Sequence, residues 1–151
     1  MLDNNQFTGT IRDAFNNFPF LEFVDVSQNQ ISGTLPQTIF DISTVSVLYF
    51  HENRMTGSIP TNFGNPPLLR DFYVNNNKLT GFVPSIQPDQ LTVLGQFRLE
   101  RNHIVGTMPA SICALRGSHN ASDLVTLTSD CAGNPPEIQC DCCTACFFVI
   151  P

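Results

Sequence analysis

Apolar and polar residues alternate over short stretches, and these stretches return at a fixed interval along the chain. Four blocks show it most fully: Leu21-x-x-Val24-x-Val26-x-x-Asn29-x-Ile31-x-Gly33-x-Leu35-Pro36, Val45-x-x-Leu48-x-Phe50-x-x-Asn53-x-Met55-x-Gly57-x-Ile59-Pro60, Leu69-x-x-Phe72-x-Val74-x-x-Asn77-x-Leu79-x-Gly81-x-Val83-Pro84 and Leu94-x-x-Phe97-x-Leu99-x-x-Asn102-x-Ile104-x-Gly106-x-Met108-Pro109. A partial block, Leu2-x-x-Asn5-x-Phe7-x-Gly9-x-Ile11, precedes them. Successive asparagines are 24, 24, 24 and 25 residues apart. Five in-phase copies of so long a pattern identify a repeat architecture.

Each position has a physical role. The alternation predicts a short strand per repeat, with one face turned to the interior. Val24 with Val26, Leu48 with Phe50, Phe72 with Val74, and Phe97 with Leu99 are the inward pairs. The chain must then turn, which strands buried amides and carbonyls. An asparagine carries both a donor and an acceptor, so a column of Asn5, Asn29, Asn53, Asn77 and Asn102 can satisfy them. The prolines at 36, 60, 84 and 109 suit the start of a helical turn on the opposite side. Phe15 and Phe18, Ile39 and Ile42, Phe63, and Ile112 with Leu115 are expected to support those turns.

These residues resemble the plant-type leucine-rich repeat, L-x-x-L-x-L-x-x-N-x-L-x-G-x-I-P, over about residues 2–130. The departures are mild: Thr10-Ile11-Arg12 lacks the proline, and the segment 84–94 is one residue longer. The resemblance implies an α/β repeat solenoid: a curved right-handed superhelix with a parallel β-sheet on its concave face and short 3-10 or helical turns on its convex side. Residues 1–118 are expected to form about five repeats, the first partial. Residues 119–151 are expected to form a last degenerate repeat and a cysteine-rich cap. In that repeat, Leu124-Val125-Thr126-Leu127 reads as a strand and Asp130 as the stand-in for the asparagine. Met1 falls inside a repeat, so the start reads as a break in the series. The apolar face near Leu2, Phe7 and Ile11 is expected to promote association or fraying.

The register also nominates a binding face. Outward strand positions lie six, four, two and one residues before each asparagine. They yield the candidate ligand-binding residues Phe23, Asp25, Tyr49, His51, Glu52, Asp71, Tyr73, Asn75, Arg98 and Glu100. Both tyrosines of the chain fall in one column on adjacent strands, which predicts rings side by side. Tyrosine and arginine are enriched at binding hot spots. The plainer alternative is cross-strand pairing that steadies the sheet by about 0.2–1 kcal/mol. His51, His103 and His119 have no metal-ligand spacing and read as surface residues.

All six cysteines, Cys113, Cys131, Cys140, Cys142, Cys143 and Cys146, lie in the last third of the chain. A disulfide-stapled cap over the end of the solenoid is the expected arrangement. Six cysteines allow about fifteen pairings, and sequence does not choose among them beyond setting aside the adjacent pair Cys142 and Cys143. A zinc site built on Cys143-x-x-Cys146 and a redox dithiol are the alternatives. The tail, with its Pro-Pro-Glu and Cys-x-Cys-Cys-x-x-Cys elements, is similar to the cap of extracellular leucine-rich-repeat proteins from photosynthetic protists. Asn120-Ala121-Ser122 is a glycosylation sequon, which with the cysteines points to an extracellular or cell-surface address.

Composition narrows the function. Net charge is −6 with seven basic residues, so nucleic acid is not an expected partner. The apolar run Phe147–Ile150 is far too short to span a bilayer. It reads as a tail packing on the last repeat or as the first residues of a span, so a membrane enters only through a parent protein. No nucleophile elbow, phosphate loop or His-Glu metal motif is present, so neither an enzyme nor a cofactor is expected. The expected function is a non-catalytic module binding a protein, peptide or cell-surface glycan, within a secreted protein or receptor-like ectodomain. The alternative is a structural or adhesive wall protein.

Overall fold

The computed structural model describes residues 1–117 and 124–148; the sequon at Asn120, His119 and residues 149–151 lie outside them. Among the described residues, thirteen short strands wind as a solenoid. Six of them form one parallel sheet: β2 (Phe23–Asp25), β4 (Val47–Tyr49), β6 (Asp71–Tyr73), β8 (Gln96–Arg98), β11 (Thr126–Ser129) and β13 (Ala145–Cys146), side by side in that order. The register follows the asparagine period, with Val24 opposite Leu48, Leu48 opposite Phe72, and Phe72 opposite Phe97. Smaller parallel ladders run along the flank: β1 (Thr8–Thr10), β3 (Gln30–Gly33) and β5 (Arg54–Met55); β7 (Thr80–Gly81) with β9 (His103–Ile104); and β10 (Gly106–Thr107) with β12 (Ile138–Gln139). No sheet closes on itself.

The inward pairs behave as the alternation predicts. Leu48, Phe50, Phe72, Val74, Phe97 and Leu99 are fully buried. Phe72 and Phe97 stack with centroids 5.4 Å apart, and Phe40 and Phe63 from the convex side close over them. Burying one such ring contributes about 1.5–3 kcal/mol. The convex side carries 3-10 turns at Phe15–Asn17 and Gln37–Asp41 and one helical turn, α1, at Ala110–Cys113. The two repeats between have no helix. They hold Pro66, Pro67 and Pro88, which lack the amide that a helical turn needs. Ile39, Ile42, Phe63, Ile112 and Leu115 are buried under these turns, whereas Phe18, expected among them, is 58% exposed beside Pro19.

The asparagine column forms a repeating circuit. Asn53 donates from Nδ2 to the Phe50 carbonyl of its own turn and to the Val26 carbonyl one repeat back, and its Oδ1 accepts the Ile31 amide. Asn77 repeats this with Val74, Phe50 and Met55, and Asn102 with Leu99, Val74 and Leu79. Asn29 reaches back to the Leu2 carbonyl and accepts the Phe7 amide. The first repeat is thereby bonded to the second, though Leu2 and Phe7 are about half exposed.

The cap corrects one expectation. β11 pairs with β8 so that Thr128 faces Arg98. Asp130 is therefore the counterpart of Glu100, and Ala132 holds the asparagine position. Asp130 still terminates the column, by another route: fully buried, it accepts the Arg101 amide at 2.8 Å and the Asn102 amide at 3.0 Å. Two acceptors suit this place, because the Leu99 carbonyl one repeat back already receives the Asn102 side-chain amide. Three disulfides complete the cap: Cys113–Cys142, Cys131–Cys146 and Cys140–Cys143. The first ties α1 to the tail. The zinc alternative paired Cys143 with Cys146, but Cys143 is bonded to Cys140 and every sulfur is in a disulfide.

Candidate ligand-binding face

The outward side of the six-stranded sheet carries an unbroken row of flat groups. Tyr49 and Tyr73 are Cα partners on β4 and β6, and their rings stack with centroids 4.5 Å apart and planes 26° apart. Phe23 on β2 meets Tyr49 edge-on at 5.8 Å. On the other side, the Arg98 guanidinium from β8 lies 4.6 Å from the Tyr73 centroid. The row thus runs Phe23, Tyr49, Tyr73, Arg98 across four strands. Strand spacing of about 4.8 Å is close to aromatic stacking distance, so one outward residue per repeat suffices to build it. The sequence column held three of the four. The fourth, Phe23, joins diagonally from two residues earlier, and Gln96, left off the candidate face, accepts the Tyr73 hydroxyl at 2.6 Å.

A second column lies beside the row. His51 sits edge-on to both tyrosines, 5.8 Å from Tyr49 and 5.7 Å from Tyr73. Its Nδ1, the Asn75 Oδ1 and the Arg98 Nε are buried with no hydrogen-bond partner. Buried polar atoms are nearly always satisfied, so three orphans on one face set it apart from the rest of the sheet.

The remaining candidates divide. Asp25 is half-buried and holds the Ser27 amide and hydroxyl through Oδ1. Glu52 is exposed. Asp71 and Glu100 occupy outward positions but are covered by neighbours; Asp71 pairs with Arg70, and Glu100 accepts the Thr128 hydroxyl. They brace the face more than they present to solvent.

Burial governs the titration of the half-buried tyrosines. It pushes both tyrosine hydroxyls above their ordinary value, with Asp71 and Asp25 adding to the effect at Tyr49 and Arg98 opposing it at Tyr73. Burial also lowers His51, against the pull of Glu52, Asp25 and Glu100. The shift favours the neutral ring, which can accept a hydrogen bond.

The residue before each ladder asparagine has a left-handed backbone, with φ of 53° at Asn4, 54° at Gln28, 55° at Glu52, 54° at Asn76 and 58° at Arg101. Side chains other than glycine visit this region rarely. Nothing in the alternation marks these positions beyond their polarity. They fix the direction of the Glu52 and Arg101 side chains at the rim of the face.

A family model described as Leucine Rich Repeat matches residues 20–42, which hold the second asparagine. A search of curated protein sequences returns no match. Among solved structures, the plant peptide hormone receptor RGFR1 in complex with RGF2 is 30% identical, with a TM-score of 0.71, covering 84% of this chain and 19% of that one. The LRR ectodomain of the Arabidopsis thaliana receptor kinase GASSHO1/SCHENGEN3, in complex with CASPARIAN STRIP INTEGRITY FACTOR 2, is 25% identical over 92% of this chain and 17% of that one, with a TM-score of 0.68. The LRR ectodomain of the receptor kinase SOBIR1 from Arabidopsis thaliana shares the fold, with a TM-score of 0.75 at 22% identity over 91% of this chain and 69% of that one. The chain spans under a fifth of the first two structures. Repeat register, asparagine circuit and parallel sheet together give the chain the fold of a leucine-rich-repeat solenoid, with the family match falling on one of its repeats and three disulfides in the segment after the last full one.

Proposed function

We propose that this chain is a non-catalytic binding module of an extracellular leucine-rich-repeat protein, and that its concave sheet takes a peptide or protein. The observation that carries the proposal is the row Phe23, Tyr49, Tyr73 and Arg98, placed on the outward face of the sheet with three unsatisfied polar atoms beside it. Apolar contact area next to a few unmet hydrogen bonds is the composition of an interface core. Proteins similar in fold include the plant peptide hormone receptor RGFR1, solved in complex with RGF2, and the BIR3–SERK2 complex from Arabidopsis thaliana. Three disulfides persist only in an oxidising compartment, which supports the extracellular address.

The occupied faces of Tyr73 support a peptide over a glycan in this reading. Tyr73 has Tyr49 on one face and Arg98 on the other. A sugar stacks on an open ring face, and Tyr73 offers only edges and a hydroxyl. Edges and hydroxyls suit side chains and backbone amides of an extended peptide.

The test is a selection of peptides on the purified chain from a displayed random library. Replacing Tyr49 and Tyr73 together with alanine should weaken the selected peptides at least tenfold, with circular dichroism and the melting profile retained. Undiminished binding by the folded double variant overturns the proposal.

A further inference from the structure

The face is electrically divided. At its outward positions β2 and β4, with the turns that follow them, present Phe23, Asp25, Ser27 and Gln28, then Val47, Tyr49, His51 and Glu52, with no lysine or arginine among them. The basic residues of the face, Arg98 and Arg101, stand two strands away. The single ion pair among the described residues is Arg70 with Asp71, so neither Asp25 nor Glu52 is matched by a cation. Asp25 commits Oδ1 to Ser27 and keeps Oδ2 for another donor.

Two of the three unmet atoms of the face, those of Asn75 and His51, are acceptors; the third, the Arg98 Nε, is a donor two strands from β4. Asn75 is 7% exposed, and its Oδ1 receives no hydrogen bond. The Nδ1 of His51, which stands opposite Asn75 one repeat earlier, is equally unmet. Free carboxylates beside free acceptors, with an aromatic rim, call for a ligand group made of donors. The chain already shows how such a group rests here, since its own Arg98 guanidinium lies on Tyr73.

We propose that the lane between β2 and β4 binds an arginine or lysine side chain of the partner peptide. Its donors go to the Asp25 and Glu52 carboxylates and, after a turn of the half-buried His51 ring, to the acceptors of Asn75 and His51; its stem lies along the rims of Phe23 and Tyr49. Lowered protonation of His51 keeps that nitrogen available at neutral pH. The groups facing His51 are Asp25, Glu52, Glu100 and Arg98, with the two tyrosine rings. The proposal rests on the concave sheet being the binding face, and it adds the chemistry of the ligand.

The experiment uses the same displayed random library, selected on the whole chain at low salt. Selected peptides should be enriched in arginine or lysine. Replacing that residue in the peptide with the neutral isostere citrulline or norleucine should weaken binding at least tenfold, as should Asp25→Asn with Glu52→Gln in the protein. The control Asp89→Asn with Asp141→Asn, which makes the same charge change away from the sheet, should leave affinity within twofold. Peptides that lose binding on Tyr49→Ala with Tyr73→Ala, yet carry no basic residue and ignore the Asp25 and Glu52 changes, overturn the cationic lane while leaving the face intact as a binding surface. Peptides indifferent to all of these variants overturn both, and failure to select any peptide overturns the lane.

Discussion

The Tyr49 and Tyr73 rings stack 4.5 Å apart, and Arg98 covers the free side of Tyr73. The two are the only tyrosines of the chain, which has no tryptophan, so tyrosine spectroscopy reads this site alone. Both hydroxyls ionise above the ordinary value because burial disfavours the phenolate. A raised folded pKa stabilises below the unfolded value, here 10.0, and that stabilisation is lost as pH rises through the folded pKa. Tyrosinate absorbance should therefore rise later in the folded chain than in denaturant, with stability falling above pH 10. Coincident titrations would contradict the burial of the row.

The ladder should answer to hydrogen-bond direction as much as to polarity. Asn77→Leu removes a donor to three carbonyls and the acceptor for the Met55 amide, and should cost at least about 1–3 kcal/mol in denaturant unfolding. Asp130→Asn introduces the residue type of the ladder two positions before the ladder position, which Ala132 holds. It should nevertheless destabilise, by about 1–3 kcal/mol, because an amide nitrogen would then confront the Arg101 or Asn102 amide. A neutral Asp130→Asn would show that the two amides find other acceptors.

The left-handed backbone at Gln28 gives a contrast at one exposed position. Gln28→Val places a β-branched side chain where φ is positive and should cost about 1–3 kcal/mol, although exposed substitutions usually change stability by about 0.5 kcal/mol or less. Gln28→Gly should be tolerated, because glycine adopts this conformation without strain. Urea unfolding of the two variants checks the sign; equal stabilities would contradict it.

Cys113–Cys142 closes a loop of 29 residues and anchors α1 to the tail. Replacing both cysteines with serine should cost about 2–4 kcal/mol and expose Leu124 and Ile138 to solvent. Proteolysis should then begin after residue 113 while the repeats from Leu21 to Asn102 survive. Simultaneous loss of all repeats would show that the cap holds the whole solenoid.

His51 should make the site acid-sensitive. Burial lowers its pKa from 6.5, against Glu52, Asp25 and Glu100 and with help from Arg98. The folded state then holds fewer protons than the unfolded one, so stability is complete above pH 6.5 and declines as pH falls below it through the folded value. His51→Gln should remove this part of the decline. An unchanged pH profile in that variant would assign the effect elsewhere.

The period of the asparagines was enough to assign inward and outward positions on β2, β4, β6 and β8, because a two-residue alternation locked to a fixed ladder leaves no freedom of register. The same reasoning slipped at Asp130. There the last repeat departs from the consensus, and only the pairing of Thr128 with Arg98 reveals the two-residue offset. Disulfide pairing was illegible for a related reason: Cys113 and Cys142 are 29 residues apart in sequence and 5.5 Å apart at Cα, a closeness created by tertiary packing. On the binding face, the sequence column showed the tyrosines adjacent. It did not show that Arg98 consumes the remaining ring face of Tyr73, or that Asp71 and Glu100 are covered. Those facts depend on rotamers, which a column of residue types does not encode.

The central claim is that partners bind on the tyrosine row, and intrinsic tyrosine fluorescence tests it most directly. A selected peptide without tyrosine or tryptophan is titrated into the chain, while its own label reports binding independently. Saturable change in tyrosine emission, with the same midpoint as the label and abolished in Arg98→Ala or shifted at least tenfold, is the predicted result. Saturation of the label with tyrosine emission unmoved would place the ligand elsewhere on the solenoid and contradict the claim.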